Sequence, residues 1–446
     1  MDAWNPESWR AKIAKQQPVY QDQVHLQDVL GRLAKLPPLV TSWEIEQLKQ
    51  NLAAASQGQA FIIQGGDCSE SLEDCSTEAV VRNLKVLMQM SLVLMYRSMK
   101  PVIRIGRIAG QYAKPRSNDT ETRDGVTLPV YRGDIINRSG FTEKERQPDP
   151  ELLMRGYERS ALTLNFIRAL CAGGFADLHH PENWDLGYVR DSGDSSRYQQ
   201  LVNSIGEALQ FMETVAEASI SQLERVDMFT SHEGLHLVYE QSQTRRVPRR
   251  DGYYNLSTHF PWIGDRTRDL DGAHVEYFRG IRNPIGLKVG PSMKEDEVKR
   301  ICESLNPANE PGRLMLIHRF GAEKIEQHLP RLIEAVKQSG ASVVWCSDPM
   351  HGNTFAAENG IKTRQVEKIE SELLSAFEIH RAHGSVLAAA HLELTGDNVT
   401  ECVGGARGLK ESDLEKAYRS PVDPRLNYEQ AMEVSFLIAE QIQKTT

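Results

Sequence analysis

Basic side chains recur where short apolar runs of the sequence end. Six of them lie in or soon after such runs: Arg107, Lys114, Arg116, Arg266, Lys288 and Arg319. Guanidinium groups bind carboxylates and phosphates through paired hydrogen bonds, and a lysine ammonium adds a compact positive charge. One such arginine alone would more often be a surface charge paired with a nearby acid. Six at comparable positions, accompanied by Ser117 and Asp265, predict a site for small ligands that carry several negative charges.

Four side chains of metal-ligand type are spread over distant parts of the chain: Cys68, His351, Glu393 and Asp423. A thiolate, an imidazole and two carboxylates suit a divalent ion such as Mn²⁺, Fe²⁺, Co²⁺ or Zn²⁺ better than Mg²⁺ or Ca²⁺. Their spacing forms no linear motif, and a buried cysteine is more often a small hydrophobic residue. The sequence therefore predicts a metal site only if the fold brings these four side chains together.

Eight short apolar runs alternate with longer helical patterns along the chain. The runs cover 61–66, 101–106, 226–231, 255–260, 286–290, 314–319, 343–348 and 387–394. This alternation is typical of parallel β/α units, and eight units predict a closed (β/α)₈ TIM barrel. In that fold the functional side chains collect at the carboxyl ends of the strands. Both groups of side chains described above fall at such positions.

The intervals between the runs divide the chain into an extension, a barrel and an insertion. Helical patterns cover 77–98, 150–171, 201–217, 294–304, 321–338, 364–381 and 427–443. The last of these begins with Asn427 as N-cap and Gln430 at the third helical position. Residues 1–58 are expected to form an N-terminal extension packed on a barrel that spans 59–446. The long interval between the second and third strands predicts a helical insertion at roughly 172–222.

Composition excludes several classes of function. The 446 residues carry a formal charge of −9 with a pI near 5.9, so a protein that covers nucleic acid with a basic face is not expected. The six cysteines form no CxxC pair, which disfavours a zinc ribbon and a disulfide framework. No apolar run reaches the roughly 18 residues that span a bilayer, and the N-terminus lacks the apolar core of a signal peptide. A cytoplasmic enzyme without a membrane span is the expectation.

Several sequence blocks resemble the type II 3-deoxy-D-arabino-heptulosonate 7-phosphate (DAHP) synthases. They include QGGDCSES, RIAGQYAKPRS, FTSHEGL, WIGDRTRDLDG, WCSDPMHGNT, HLELTGDNVTECVGGARGL and VDPRLNYEQA, and the resemblance runs over nearly the whole chain. It implies the same barrel and a transferase, 3-deoxy-7-phosphoheptulonate synthase. Such an enzyme condenses phosphoenolpyruvate with erythrose 4-phosphate and water and releases phosphate. This reaction begins the shikimate pathway to chorismate and the aromatic amino acids.

The resemblance also implies a role for each group of side chains. The metal ligands of the family fall on Cys68, His351, Glu393 and Asp423, with Mn²⁺ as the first expectation and Co²⁺, Fe²⁺ or Zn²⁺ as alternatives. Its phosphoenolpyruvate contacts fall on Arg107, Arg266, Lys288 and Arg319. The KPRS segment, which contains Lys114, Arg116 and Ser117, matches the part that receives erythrose 4-phosphate.

Proton transfer is less sharply assigned. Lys114 and Lys288 are the candidates for a proton donor, and Glu393 and Asp265 are the candidates for orienting the attacking water. Asp265 stands where the family pattern has a glutamate. The sequence does not choose within either pair.

Two other functions remain open at this level. One is another barrel enzyme that adds phosphoenolpyruvate to a sugar aldehyde, such as a longer-chain sugar acid synthase. The other is a non-catalytic relative that keeps the barrel to bind a pathway partner or to sense an aromatic metabolite. All four ligand types are present, which favours an enzyme. The family also implies a homodimer or homotetramer, aromatic amino acids as effectors and chorismate mutase as a partner in some members. The sequence does not identify which of these apply.

Overall fold

Eight parallel strands form one closed barrel in the computed structural model, which describes residues 4–172 and 227–444. The strands are β1 Phe61–Gly66, β2 Val102–Arg107, β3 Met228–Glu233, β4 Phe260–Ile263, β5 Ile285–Val289, β6 Leu314–His318, β7 Val344–Ser347 and β8 Leu387–Glu393. β1 pairs with both β2 and β8, so the sheet closes on itself. The predicted (β/α)₈ barrel is confirmed.

The fourth strand begins later than the sequence predicted. The sequence pattern predicts the strand at 255–260, but β4 covers the apolar residues Phe260–Ile263. Tyr253–Asn255 pairs instead with Thr244–Arg246 in a small antiparallel hairpin. Between hairpin and strand the backbone is held by side chains, because Asn283 Nδ2 donates to Asn255 O at 2.8 Å and to Thr258 O at 3.2 Å. Buried polar residues satisfied in this way need no sheet partner.

Eleven α-helices lie in the described part of the chain. They are α1 Gln23–Leu33, α2 Ser42–Ser56, α3 Thr77–Ser98, α4 Glu143–Arg146, α5 Glu151–Ala172, α6 Leu237–Ser242, α7 Ala273–Phe278, α8 Glu295–Leu305, α9 Ile325–Ser339, α10 Val366–Ala382 and α11 Tyr428–Gln443. The sequence located α3, α5, α8, α10 and α11 within two residues at each end. Asn427 caps α11 as predicted, since its Oδ1 accepts from Gln430 N and its own N–H donates to Gln430 Oε1.

Helix α3 has the length and apolar character of a membrane span, and it is the one described helix that does. About 61% of its most apolar window is buried inside the protein. It packs against β1, β2 and α11, where Leu84, Leu87, Met90 and Leu94 contribute to the barrel's outer layer. Its apolar surface is therefore used by the fold itself.

The N-terminal segment contacts the barrel at two places. Helix α2 packs against β1, β7 and β8, and its Leu48 and Leu52 join the apolar cluster inside the barrel. The 3₁₀ turn Ser8–Ala11 packs against α7. These contacts support an extension that folds onto the barrel, although the division at residue 58 stays a prediction. Of the predicted insertion at 172–222, only Ala172 lies within the described residues, and the predicted helix at 201–217 lies outside them.

Candidate metal centre and substrate cavity

The side chains singled out from the sequence lie at one end of the barrel. Arg107 and Glu393 are the last residues of β2 and β8, and Lys288 lies on β5. The others follow strands at short distances: Cys68 after β1, Asp265 and Arg266 after β4, Arg319 after β6 and His351 after β7. Because all the strands are parallel, these side chains meet at the carboxyl end of the barrel.

Three of the four predicted ligands form a compact group. One ligand atom from each of Cys68, Glu393 and Asp423 lies within 4.8 Å of the others. His351 stands beside this group, with Nε2 3.1 Å from Glu393 Oε1. The four predicted ligands thus come from the ends of β1, β7 and β8 and from the loop that leads into α11. Because these residues are far apart in the sequence, they form no linear motif.

The Lys114 ammonium lies in the middle of this group. Its Nζ is 2.9 Å from Cys68 Sγ, 3.0 Å from Glu393 Oε1 and 3.2 Å from Asp423 Oδ2. Burial alone would lower the pKa of Lys114, but its anionic neighbours outweigh that effect and raise the pKa above its usual value. Lys114 therefore carries a positive charge at the point where the ligand atoms converge.

His351 is oriented by a buried carboxylate. Its Nδ1 lies 2.8 Å from Asp348 Oδ2, so with ionised Asp348 the Nδ1 carries a proton and Nε2 presents its lone pair. Nε2 then faces Glu393 Oε1, an arrangement that a shared proton or metal ion satisfies. Burial would raise the pKa of Asp348, but His351 and Lys288 hold it well below its usual range.

Both oxygens of the Glu393 carboxylate are bound by cations. Oε1 accepts from Arg107 Nη2 at 3.0 Å and contacts Lys114, and Oε2 accepts from Arg364 Nη2 at 2.8 Å. Burial by itself would raise the pKa of Glu393, but His351, Lys114, Arg364 and Arg107 lower it far below its usual value. The fully buried carboxylate is therefore ionised, as a metal ligand must be.

The pKa of the Cys68 thiol is raised, whereas that of the Glu393 carboxyl is lowered. Burial, followed by the charge of Glu393, raises the pKa of Cys68 to about 12, and the Lys114 ammonium opposes that shift. Coordination of a divalent ion to such a thiol releases the proton, because the thiolate is the ligand form. The donor set of one sulfur, one imidazole nitrogen and two carboxylates fits the borderline divalent ions expected from the sequence.

A cavity of about 360 Å³ opens beside this group. Its lining includes Lys114, Arg116, Ser117, Asp265, Arg266, Lys288, Arg319, His351 and Asp423. Five of these are cations, and Nη1 of Arg116 and Nε of Arg319 have no hydrogen-bond partner among the described residues. The cavity can therefore offer donors to an anionic ligand directly next to the candidate metal ligands.

Arg107 differs from the other predicted substrate contacts. It is 2% exposed, and it is absent from the cavity lining in the part of the chain that the structure describes. Its Nε donates to Asp67 O at 2.9 Å and its Nη2 donates to Cys68 O at 3.0 Å as well as to Glu393. In this arrangement Arg107 ties the β1 loop to the end of β8.

Asp265 is engaged by two arginines. Its Oδ1 accepts from Arg268 Nε at 2.9 Å and its Oδ2 accepts from Arg319 Nη1 at 3.1 Å. Arg319 Nη2 in turn donates to His351 O at 3.0 Å. The carboxylate thereby fixes the guanidinium of Arg319 at the cavity wall.

The loop that carries Lys114 is held by backbone contacts. Glu70, two residues after Cys68, accepts from the N–H groups of Ala109, Gly110 and Gln111 at 2.7–2.9 Å. Lys114 N donates to Arg132 O at 2.9 Å. Arg132 is followed by Gly133, whose φ is +108°. A Cβ on Gly133 would lie 1.9 Å from Tyr112 O, so only glycine permits this approach.

Three residues that contact the candidate site were missed in the sequence. Asp348 and Glu233 stood in the quoted blocks WCSDPMHGNT and FTSHEGL, but no pattern separated them from ordinary strand-end acids. Glu233 lines the cavity, its Oε1 has no hydrogen-bond partner among the described residues, and burial raises its pKa. Arg364 lies in the hairpin of Thr354–Ala356 and Lys362–Arg364, and nothing in its spacing indicated a contact with Glu393.

The geometry defines a barrel enzyme for small anionic substrates, and comparison with known proteins gives its family. A model of the class-II DAHP synthetase family matches residues 4–439. A phospho-2-dehydro-3-deoxyheptonate aldolase of Neurospora crassa is 48% identical over 453 residues, covering 98% of this chain and 94% of the relative. A Streptomyces coelicolor protein of that name is 47% identical over 433 residues, covering 97% and 96%.

A solved structure of the enzyme of that name from Francisella tularensis aligns over 96% of this chain and 98% of its own, with a TM-score of 0.47 and 15% identity. The family is settled by the sequence relatives. The chain belongs to the class-II DAHP synthetase family. It is accordingly a transferase with DAHP synthase activity, and the family predicted from the motifs is confirmed.

Proposed function

We propose that this chain condenses phosphoenolpyruvate with erythrose 4-phosphate and water in a metal-dependent reaction that gives DAHP and phosphate. One observation carries the proposal: a cavity whose lining includes five of the six predicted cations opens directly beside Cys68, His351, Glu393 and Asp423. Two phosphorylated substrates repel each other in solution. A partly dry cationic cavity offsets that repulsion and holds the reacting carbons together.

The metal would be held by Cys68, His351, Glu393 and Asp423, and Mn²⁺ is the proposed ion. When bound, such an ion supplies Lewis acidity that polarises the aldehyde oxygen of erythrose 4-phosphate. Asp348 supports this role because it holds the Nδ1 proton of His351 and leaves Nε2 for the ligand position.

The two substrates would occupy different parts of the cationic lining. Lys288, Arg266 and Arg319 are proposed to bind phosphoenolpyruvate, and Lys114, Arg116 and Ser117 are proposed to receive erythrose 4-phosphate. Arg266 Nη2 donates to Ser117 Oγ at 2.9 Å, so the two sets adjoin. Arg107 is proposed to contact the phosphoenolpyruvate end of the site while it keeps Cys68 and Glu393 in place.

Glu233 is the carboxylate proposed to position the attacking water. Both oxygens of Asp265 are bound by arginines and both oxygens of Glu393 are bound by cations, whereas Glu233 Oε1 is unpartnered within the described residues. Lys288 is the proposed proton donor. Burial lowers its pKa more than Asp348 raises it, and a lowered pKa makes the ammonium a better acid.

Other properties of the chain follow from the family resemblance alone. We propose a homodimer or homotetramer in the cytoplasm, with aromatic amino acids as effectors and chorismate mutase as a partner. We propose no nucleic-acid partner, because the net charge is −9.

The test is release of phosphate from phosphoenolpyruvate in the presence of erythrose 4-phosphate, measured after EDTA treatment and after adding Mn²⁺, Co²⁺ or Zn²⁺. We expect activity to vanish with EDTA and to return with metal. Replacing erythrose 4-phosphate by a five-carbon aldose phosphate tests the longer-chain alternative, and adding each aromatic amino acid tests regulation. Full activity in a demonstrably metal-free sample would contradict the proposal.

A further inference from the structure

One carboxylate oxygen connects the candidate metal centre to the substrate cavity. Asp348 is fully buried after β7, and its Oδ2 lies 2.8 Å from His351 Nδ1 and 2.5 Å from Lys288 Nζ. Its Oδ1 accepts from the backbone N–H groups of Met350 at 3.0 Å and His351 at 3.2 Å. These bonds fix the carboxylate, so it cannot turn to give each side chain its own oxygen.

His351 and Lys288 share one oxygen of Asp348, so a stronger hydrogen bond to one of them weakens the contact with the other. A divalent ion on Nε2 draws electron density from the imidazole, so the Nδ1–H becomes a stronger donor to Asp348. The oxygen then has less negative charge to offer Lys288. A lysine that is less neutralised by its counter-ion binds an anionic ligand more strongly.

We propose that Asp348 is a positioning residue that couples metal binding at His351 to phosphoenolpyruvate binding at Lys288. The inference rests on the proposed function, because it takes the metal and phosphoenolpyruvate to bind where that function puts them. Metal binding increases the affinity for phosphoenolpyruvate, and by thermodynamic reciprocity phosphoenolpyruvate increases the affinity for metal by the same factor. Coupling of this kind is typically about five-fold or more.

The chain contains a matched control for this role. Asp265 also pairs with a cation of the cavity, Arg319, at 3.1 Å, but its second oxygen goes to Arg268 and not to the His351 imidazole. Asp265→Asn should weaken phosphoenolpyruvate binding and leave the coupling factor unchanged. Direct attraction between the metal and the substrate anion is the same in both variants, so comparing them isolates the contribution of Asp348.

The experiment measures binding, not turnover. Mn²⁺ affinity is determined by calorimetric titration with and without phosphoenolpyruvate, and phosphoenolpyruvate affinity is determined with Mn²⁺ and with EDTA, for the wild type, Asp348→Asn and Asp265→Asn. In Asp348→Asn we expect Mn²⁺ to bind about ten- to a hundred-fold more weakly. We also expect the coupling factor to fall toward the part that direct attraction supplies, while Asp265→Asn keeps the wild-type factor.

A second variant protects the test against a misfolded Asp348→Asn protein. Lys288→Gln leaves the whole of Asp348 Oδ2 to His351, whereas Arg266→Gln removes an equal charge from the cavity at a guanidinium that donates to Ser117 Oγ and not to Asp348. Mn²⁺ should therefore bind more tightly to Lys288→Gln than to Arg266→Gln in the absence of substrate. Equal Mn²⁺ affinities in these two, or an unchanged coupling factor in folded Asp348→Asn, would overturn the inference. Failure of the wild type to bind Mn²⁺ or phosphoenolpyruvate would instead overturn the proposed function.

Discussion

The Arg364 guanidinium donates to Glu393 Oε2 at 2.8 Å, and both side chains are completely buried. Arg364 Nε also donates to Thr354 Oγ1 at 2.8 Å, and its Nη1 contacts Pro424 O, next to Asp423. The hairpin after β7 thus holds Oε2 of Glu393, while Oε1 faces Lys114 and His351. A candidate metal ligand held by a second layer of hydrogen bonds in this way is pre-organised for one mode of coordination.

Replacing Arg364 by glutamine should therefore weaken metal binding, although Arg364 is not itself a proposed metal ligand. The change leaves Glu393 Oε2 buried without its counter-ion, which destabilises a protein by about 3–5 kcal/mol. We expect Mn²⁺ affinity to fall about ten- to a hundred-fold. Thermal unfolding and a chelator-competition titration measure the two effects.

Lys362→Gln is the control for that change. Lys362 Nζ lies 3.2 Å from the other ligand carboxylate, Asp423 Oδ1, but its side chain is 52% exposed. Exposed pairs contribute about 0–1 kcal/mol, so its loss should alter stability little. Equal effects of the two substitutions would show that charge near the site matters and orientation of Glu393 does not.

Cys68→Ser should abolish phosphate release and leave the barrel folded. Serine nearly preserves the volume of the buried side chain, but an alcohol is a much poorer ligand than a thiolate for a borderline divalent ion. The measurements are the coupled phosphate assay, Mn²⁺ titration and circular dichroism. Cys302→Ser, at a buried thiol in α8, should keep Mn²⁺ binding. Wild-type Mn²⁺ affinity in Cys68→Ser would remove the sulfur from the ligand set.

Arg319→Gln should act on substrate binding. A charged donor lost from an anion site weakens binding by about 1.5–3 kcal/mol, which corresponds to a KM for phosphoenolpyruvate roughly ten- to a hundred-fold higher. Steady-state kinetics at saturating erythrose 4-phosphate gives this value. Arg331→Gln, at a half-exposed pair with Glu295, should leave KM unchanged. An unaltered KM in Arg319→Gln would exclude a contact with this substrate.

His318→Phe should make stability less sensitive to acid. His318 is fully buried, neither ring nitrogen has a hydrogen-bond partner among the described residues, and burial lowers its pKa to about 3 from 6.5. Its contribution to stability is therefore complete above pH 6.5 and is lost as pH falls toward 3.

At pH 5 this group alone accounts for about 2 kcal/mol of lost stability. Urea unfolding gives the free energy of unfolding of both proteins at pH 8 and pH 5. Between these pH values it should fall by about 2 kcal/mol less in His318→Phe than in the wild type. The difference between the two proteins at pH 8 reports the change in packing alone. The His318 ring stacks on Phe320 with the ring centroids 5.8 Å apart, and a phenylalanine ring at position 318 retains that contact. The same decrease in both proteins would mean that His318 does not titrate in this range.

The sequence by itself determined the barrel and most of the chemistry at its mouth. Apolar runs and helical periods are local signals, and they located seven of the eight strands because strand and helix formation depends on nearby residues. The remaining strand, β4, was misplaced because the backbone of the polar stretch before it is hydrogen-bonded by distant side chains such as Asn283. Residue types at strand ends, with the family motifs, predicted Cys68 and Glu393 as metal ligands, and the structure places them within one group that could hold an ion.

Only the tertiary structure decided which groups share an atom. Lys114, expected to bind substrate, lies within 3.2 Å of Cys68, Glu393 and Asp423, and Asp265 is occupied by Arg268 and Arg319. The contacts of Asp348, Glu233 and Arg364 at the candidate site were decided in the same way. Hydrogen bonds and ion pairs act over a few ångströms between residues hundreds of positions apart. Their partners are therefore fixed by how the strands close, which no local pattern in the chain records.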